Sequence, residues 1–128
     1  MIPRIVNLLT AVLMVLVAAP AAADPDYPKR PIKLITPFPP GGSTDMLALV
    51  LAPELSKRLG QTVIVENKAG AGGNIGLDAV AKADPDGYVL GLASPGPLVV
   101  NVSLMDKLPY SPLTDFTPVA LIADLPIV

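Results

Sequence analysis

From Ile32 onward, short apolar runs alternate with longer stretches whose apolar residues recur every three or four positions. The short runs Ile32–Thr36 (IKLIT), Thr62–Glu66 (TVIVE), Tyr88–Ala93 (YVLGLA) and Val119–Ala123 (VALIA) predict four β-strands, bounded by Pro, Gly and Asp. Leu47, Leu51, Leu55 and Leu59, with Met46 and Val50, predict one apolar face of a helix. Ser43 or Thr44 is placed to cap that helix, Asp45 sits in its first turn and Gly60 is its expected stop. Pro53 lies inside it and predicts a kink or a division into two. Asn74–Ala83 predicts a second, shorter helix with Ile75, Ala79 and Val80 turned inward, and Leu98–Leu108 reads as partly helical. Strand and helix in alternation imply βαβ units. The fold class is therefore α/β with a parallel sheet and right-handed crossovers.

The amino end follows a different pattern. Arg4 is followed by the apolar run Ile5–Val17, then by a segment of alanines broken by Pro20. A membrane span needs about 20 apolar residues, and this run is shorter and holds Asn7 and Thr10. A charged start, a short apolar stretch and an A-x-A site predict a signal peptide over residues 1–23, cleaved after Ala23, and hence export. The folded unit is then 24–128. The leader contributes to the mean hydropathy of +0.58, which would otherwise point to a membrane protein.

Composition narrows the chemistry. The 128 residues contain no Cys and no His, which excludes disulfides, zinc ribbons, a lipid-modified cysteine and any nucleophile activated by His. No metal or other cofactor is implied. The net charge of −2 and the scattered basic residues exclude a nucleic-acid binder. Of the Asp-Pro-Asp-Gly run, Asp84 and Asp86 read as turn formers, and Lys57-Arg58 as the solvated end of a helix. No general base stands out.

Three loops follow predicted strands: Pro37–Gly42, Asn67–Gly73 and Ser94–Pro97. Carboxyl ends of parallel strands are where open α/β sheets bind ligands. The run Gly70–Gly76 is not a dinucleotide fingerprint, because Ile75 stands where the third glycine should be, and the phosphate-loop pattern is absent. What Gly41-Gly42-Ser43-Thr44 and Gly72-Gly73-Asn74 offer is bare N–H groups at helix starts, with hydroxyl and amide donors beside them. Such groups hold an anion without a cationic side chain. They equally make ordinary tight turns and caps. Ser94 can donate to a ligand or cap the next segment, and Phe38 can plug the core or wall a pocket.

Several motifs together carry a resemblance. Tyr27–Ile32 (YPKRPI), Pro37–Asp45 (PFPPGGSTD), Leu59–Asn67 (LGQTVIVEN), Gly70–Asn74 (GAGGN), Ala83–Tyr88 (ADPDGY), Leu108–Pro112 (LPYSP) and Asp115–Val119 (DFTPV) resemble, in order, the Bug family of periplasmic solute-binding proteins. These are the receptors of tripartite tricarboxylate transporters. The resemblance implies one lobe of a Venus-flytrap fold, with the second lobe missing, and a small carboxylate or dicarboxylate as ligand. It implies ligand contacts from Phe38, Pro40, Gly41, Gly42, Ser43, Thr44, Ala71, Gly72, Gly73, Asn74 and Ser94. It further implies a periplasmic, monomeric receptor whose partners are the membrane components of the transporter, and no enzymatic activity.

Two departures from the family pattern stand out. Ala69 occupies a position where the family usually has proline, and Ser94–Pro97 is unusually proline-rich. A chain with room for one domain is shorter than a two-domain receptor, so 24–128 is expected to be the truncated N-terminal part of such a receptor, a fragment or a truncated gene product, which binds weakly or not at all. Two other readings are an exported interaction or sensor module that has lost transport, and a small exported α/β enzyme.

Overall fold

Ile32–Thr36 forms the central strand, β1, because four of its five residues are apolar or small enough to be buried from both sides. The computed structural model describes residues 26–124; the leader and its cleavage site lie outside them. In chain order, β1 is followed by α1 (Ser43–Leu59), β2 (Val63–Asn67), a 3-10 turn (Ala71–Gly73), α2 (Asn74–Ala81), β3 (Val89–Gly91) and a wide helical turn (Gly96–Val100) that runs into the short α3 (Asn101–Leu104).

The sheet order is β2-β1-β3, all parallel, with Ile32 opposite Val63, Thr36 opposite Asn67 and Leu34 opposite Leu90. Alternate residues of β1 serve opposite faces. Ile32 and Leu34 join Ala48, Ala52, Val63 and Leu92 in the main core, with Leu51, Leu55, Leu59, Val65 and Leu90 packed against it. On the other face Gly91, the partner of Ile35, lets Val80 of α2 approach so closely that a β-carbon there would lie 3.0 Å from Val80 Cγ2. The two helices therefore cover opposite faces, as right-handed crossovers require when the chain turns back past β1. Open α/β sheets bind ligands where the connection reverses in this way, here at the carboxyl end of β1. No helix of the described residues is long and apolar enough to cross a membrane.

Several expectations are corrected. The buried face of α1 is centred on Ala48 and Ala52, and Met46 and Val50 are exposed. Small residues let the helix axis lie close to the sheet, which rotates the leucines to the flanks. Pro53 does not divide α1, since it sits on the exposed side, where water can take the place of the missing donor. Gly42, with φ −79° and ψ 170°, is the N-cap, so neither Ser43 nor Thr44 caps with its side chain. Gly60 ends the helix as expected, at φ 70°, donating to the Ser56 carbonyl. In α2 it is Gly76 and Leu77 that are buried, and Ile75 is exposed. Val119–Ala123 is not a strand: Val119 and Leu121 are exposed, and no strand among the described residues pairs with the segment.

Candidate functional site

Each strand of the sheet delivers a loop to the same edge. The loop after β1 is stiffened by Pro37, Pro39 and Pro40, and Pro37 is fully buried. Asn67, the last residue of β2, ties it down. Its Nδ2 donates to Thr36 Oγ1 at 2.6 Å and Asp45 Oδ1 at 2.8 Å, with the Phe38 carbonyl at 3.2 Å. Asp45 Oδ2 accepts the Gly41 N–H at 2.8 Å. The buried Asp45 thus closes the loop onto the first turn of α1, rather than facing a ligand.

The Gly41 N–H and the Asn67 carboxamide both hold the charged form of Asp45, so its pKa lies below the usual carboxylate value of 3.8. A depressed folded-state pKa adds stability above the unfolded-state value, and that stability is lost as pH falls through the folded-state value. Asp45→Asn turns an NH2 group or a weaker acceptor toward two donors. Its denaturation midpoint at pH 7 should fall below that of the wild type. The gap should close below about pH 4, as read from urea unfolding across a pH series.

The loop after β2 makes a left-handed turn. Gly70, Ala71, Gly72 and Gly73 have φ of 133°, 48°, 64° and 95°. Two bonds close it: Gly73 N–H to the Gly70 carbonyl at 3.0 Å, and Asn74 N–H to the Ala71 carbonyl. Lys68, the nearest cation in sequence, is paired with Glu66 at 3.1 Å. The loop after β3 carries Ser94, whose hydroxyl oxygen would lie 3.9 Å from a β-carbon placed on Gly96.

The three loops meet at Gly73. A β-carbon there would lie 3.1 Å from Pro97 Cγ and 3.4 Å from Phe38 Cζ. Phe38 is accordingly half-buried against the second glycine loop. Of the sequence-predicted residues, Gly41, Gly73 and Asn74 use their N–H groups within their own loops. Ser43, Thr44 and Asp45 precede the first intrahelical bond of α1, from Met46 N–H to the Gly42 carbonyl, so their N–H groups are open. Pro40 and Gly41 are exposed at the rim.

Sequence reasoning missed Asn67, Asn101 and Tyr110. Asn101 and Tyr110 are buried and bind the Asn74 side chain. The available signal was polar residues inside apolar or proline-rich motifs, at Val63–Asn67 and Leu108–Pro112. Among the described residues no group of Asp and Glu could hold a metal ion.

A family model described as "Tripartite tricarboxylate transporter family receptor" matches residues 47–128. The chain belongs to this family. Protein BugT of Bordetella pertussis is 56% identical over 113 residues, covering 88% of this chain and 34% of BugT. The periplasmic binding protein BugD superposes with a TM-score of 0.69 at 47% identity, over 72% of this chain and 30% of BugD. MatC from Rhodopseudomonas palustris with bound malate superposes with a TM-score of 0.71 at 43% identity, over 74% of this chain and 32% of MatC. The parallel-sheet lobe of this chain thus has the fold of periplasmic binding proteins, and its relatives are receptors rather than enzymes. The chain spans about a third of the length of the curated relatives it matches.

Proposed function

We propose that this chain supplies the carboxylate-holding loops of a periplasmic receptor that feeds a small organic acid to a tripartite tricarboxylate transporter. The observation that carries the reading is the convergence of three strand-end loops at Gly73, the first of which leads into the open amino terminus of α1. The N–H groups of Gly42, Ser43, Thr44, Ala71 and Gly72 and the hydroxyls of Ser43, Thr44 and Ser94 are the donors. Phe38 and Pro40 form an apolar wall, and Gly41, Gly73 and Asn74 shape the loops through their internal bonds. A helix of 17 residues adds its dipole at the amino end, which favours an anion by about 0.3–1 kcal/mol. That MatC is solved with malate supports a dicarboxylate in particular.

The test is calorimetric titration of the two-lobed receptor that carries these loops with malate, adipate and citrate, and with a neutral diamide of malate. Binding of at least one acid and none of the diamide is expected. Equal affinity for acid and diamide would refute recognition by charge.

The receptor role also requires export. Asp24 is expected as the first residue of the protein recovered from the periplasm, read by N-terminal peptide mass spectrometry. A protein that keeps Met1–Ala23 would refute the cleavage site.

A further inference from the structure

The turn Ala71–Gly73 holds one of its residues in a conformation that the residue does not favour. Ala71, at φ 48°, is the sole residue other than glycine with a positive φ among the described residues. The two bonds that close the turn are local, and they leave its tilt against the neighbouring loops undetermined. That tilt is fixed from outside by three buried polar side chains.

Asn74, Asn101 and Tyr110 come from segments far apart in sequence, and each is nine-tenths or more buried. Asn101 Nδ2 donates to Asn74 Oδ1 at 2.8 Å and reaches the Gly72 carbonyl at 3.4 Å. The Tyr110 hydroxyl lies 2.8 Å from Asn74 Oδ1 and 2.8 Å from the Pro97 carbonyl, sharing its one proton between them. Asn74 Nδ2 donates to Met105 Sδ at 3.0 Å, and the Tyr110 ring is held edge-on by Phe116 at 5.4 Å. A single carboxamide oxygen thus gathers the second glycine loop, the turn after β3 and the segment beyond α3. None of these three side chains belongs to the main core.

We propose that Asn101 and Tyr110 are positioning residues of the carboxylate site, fixing the Ala71–Gly73 turn against Pro97 so that the Ala71 and Gly72 N–H groups aim together at the ligand. The proposal rests on the receptor reading above. Polar groups buried this completely hold geometry strongly, because no water replaces a lost partner. They touch no ligand themselves; they set the direction of the groups that do.

Tyr110→Phe and Asn101→Ala test this in the same two-lobed receptor. Amide hydrogen exchange is read at Gly73 and Asn74, which close the turn, and at Leu34 and Ile35 of β1 as the reference. Calorimetry reads the affinity for malate, adipate and citrate. In both variants, exchange at Gly73 and Asn74 is expected to quicken at least tenfold with β1 unchanged, and affinity for the bound acid to weaken at least tenfold. Unchanged exchange at the turn overturns the proposal. Exchange that rises equally in β1 overturns it too, since the network would then stabilise the whole lobe. Faster local exchange with full affinity removes the link to binding. A wild type that binds none of the three acids refutes the receptor reading instead, and the exchange pattern alone then decides whether the turn is held from Asn101 and Tyr110.

Discussion

Gly76→Val is expected to lower the thermal midpoint of the chain by on the order of 10 °C or more. Gly76 lies in the first turn of α2, where a side chain would ordinarily be welcome; glycine in a helix costs about 0.5–1 kcal/mol relative to alanine. Here a β-carbon would lie 2.7 Å from Pro37 Cα, 2.8 Å from Pro37 Cβ and 2.9 Å from the Lys68 carbonyl oxygen. Those neighbours cannot swing aside. Pro37 is fully buried, and the Lys68 N–H is bonded to the Thr36 carbonyl at 2.9 Å, continuing the β1–β2 ladder. Overpacking of this kind costs about 1–3 kcal/mol, and more when backbone must move. A domain of this size loses about 4–8 °C per kcal/mol. Even alanine is therefore expected to destabilise. Gly60→Ala is the control: its φ is 70° with nothing within 4 Å, so it meets left-handed strain alone. A Gly76→Ala protein that melts at or above the wild type, by circular dichroism, would show that α2 does not need this approach.

Gly76 also shows what the sequence could and could not convey. In the run Gly70–Gly76 it reads as the misplaced third glycine of a failed dinucleotide motif, which correctly dismisses a nucleotide but assigns the residue no role. Its role depends on Pro37 and Lys68, which reach it only through the parallel pairing of β1 with β2. The strands themselves were legible because short, mostly apolar runs between turn formers leave few alternatives. The buried face of α1 was less so. Leucine spacing marks a helix, but Ala48 and Ala52 take the centre of the contact because small side chains permit close approach to a sheet. Val119–Ala123 has the composition of a strand and no neighbour among the described residues with which to be one. Apolarity gives a segment reason to pair, and the partner has to come from elsewhere.

The site divides in the same way. That glycine loops would gather at the strand ends followed from the α/β alternation, and the structure brings Phe38, Gly73 and Pro97 together there. Which N–H groups are open did not follow from residue type. Gly41 lies in the first loop as predicted, yet its N–H is held by Asp45, because a buried carboxylate needs donors and the loop is the nearest source. Asn67 and Asn101 look like ordinary strand-end and helix residues until their carboxamides are seen joining separate loops.

Gly73→Val is expected to weaken carboxylate binding at least tenfold, about 1.4 kcal/mol or more. Gly73 has φ 95° and ψ −6°, a conformation that costs a residue with a β-carbon about 1–2 kcal/mol and a β-branched one more. The new side chain would also enter the point where the loops touch, with Pro97 Cγ at 3.1 Å and Phe38 Cζ at 3.4 Å from its β-carbon. Two relaxations are open. Either the turn reverts to a negative φ and rotates the N–H groups of Ala71 and Gly72, or Phe38 and Pro97 are pushed outward. Both disturb the donors proposed above for one carboxylate, where a hydrogen bond to a charged group contributes about 1.5–3 kcal/mol. Gly60→Ala carries left-handed strain at the far end of α1, so its affinity should match the wild type even where its stability does not. Calorimetry on the two variants separates the effects. A Gly73→Val protein that binds its acid as tightly as the wild type would mean the carboxylate is held without the second glycine loop. The donors would then have to be sought at the amino end of α1 alone.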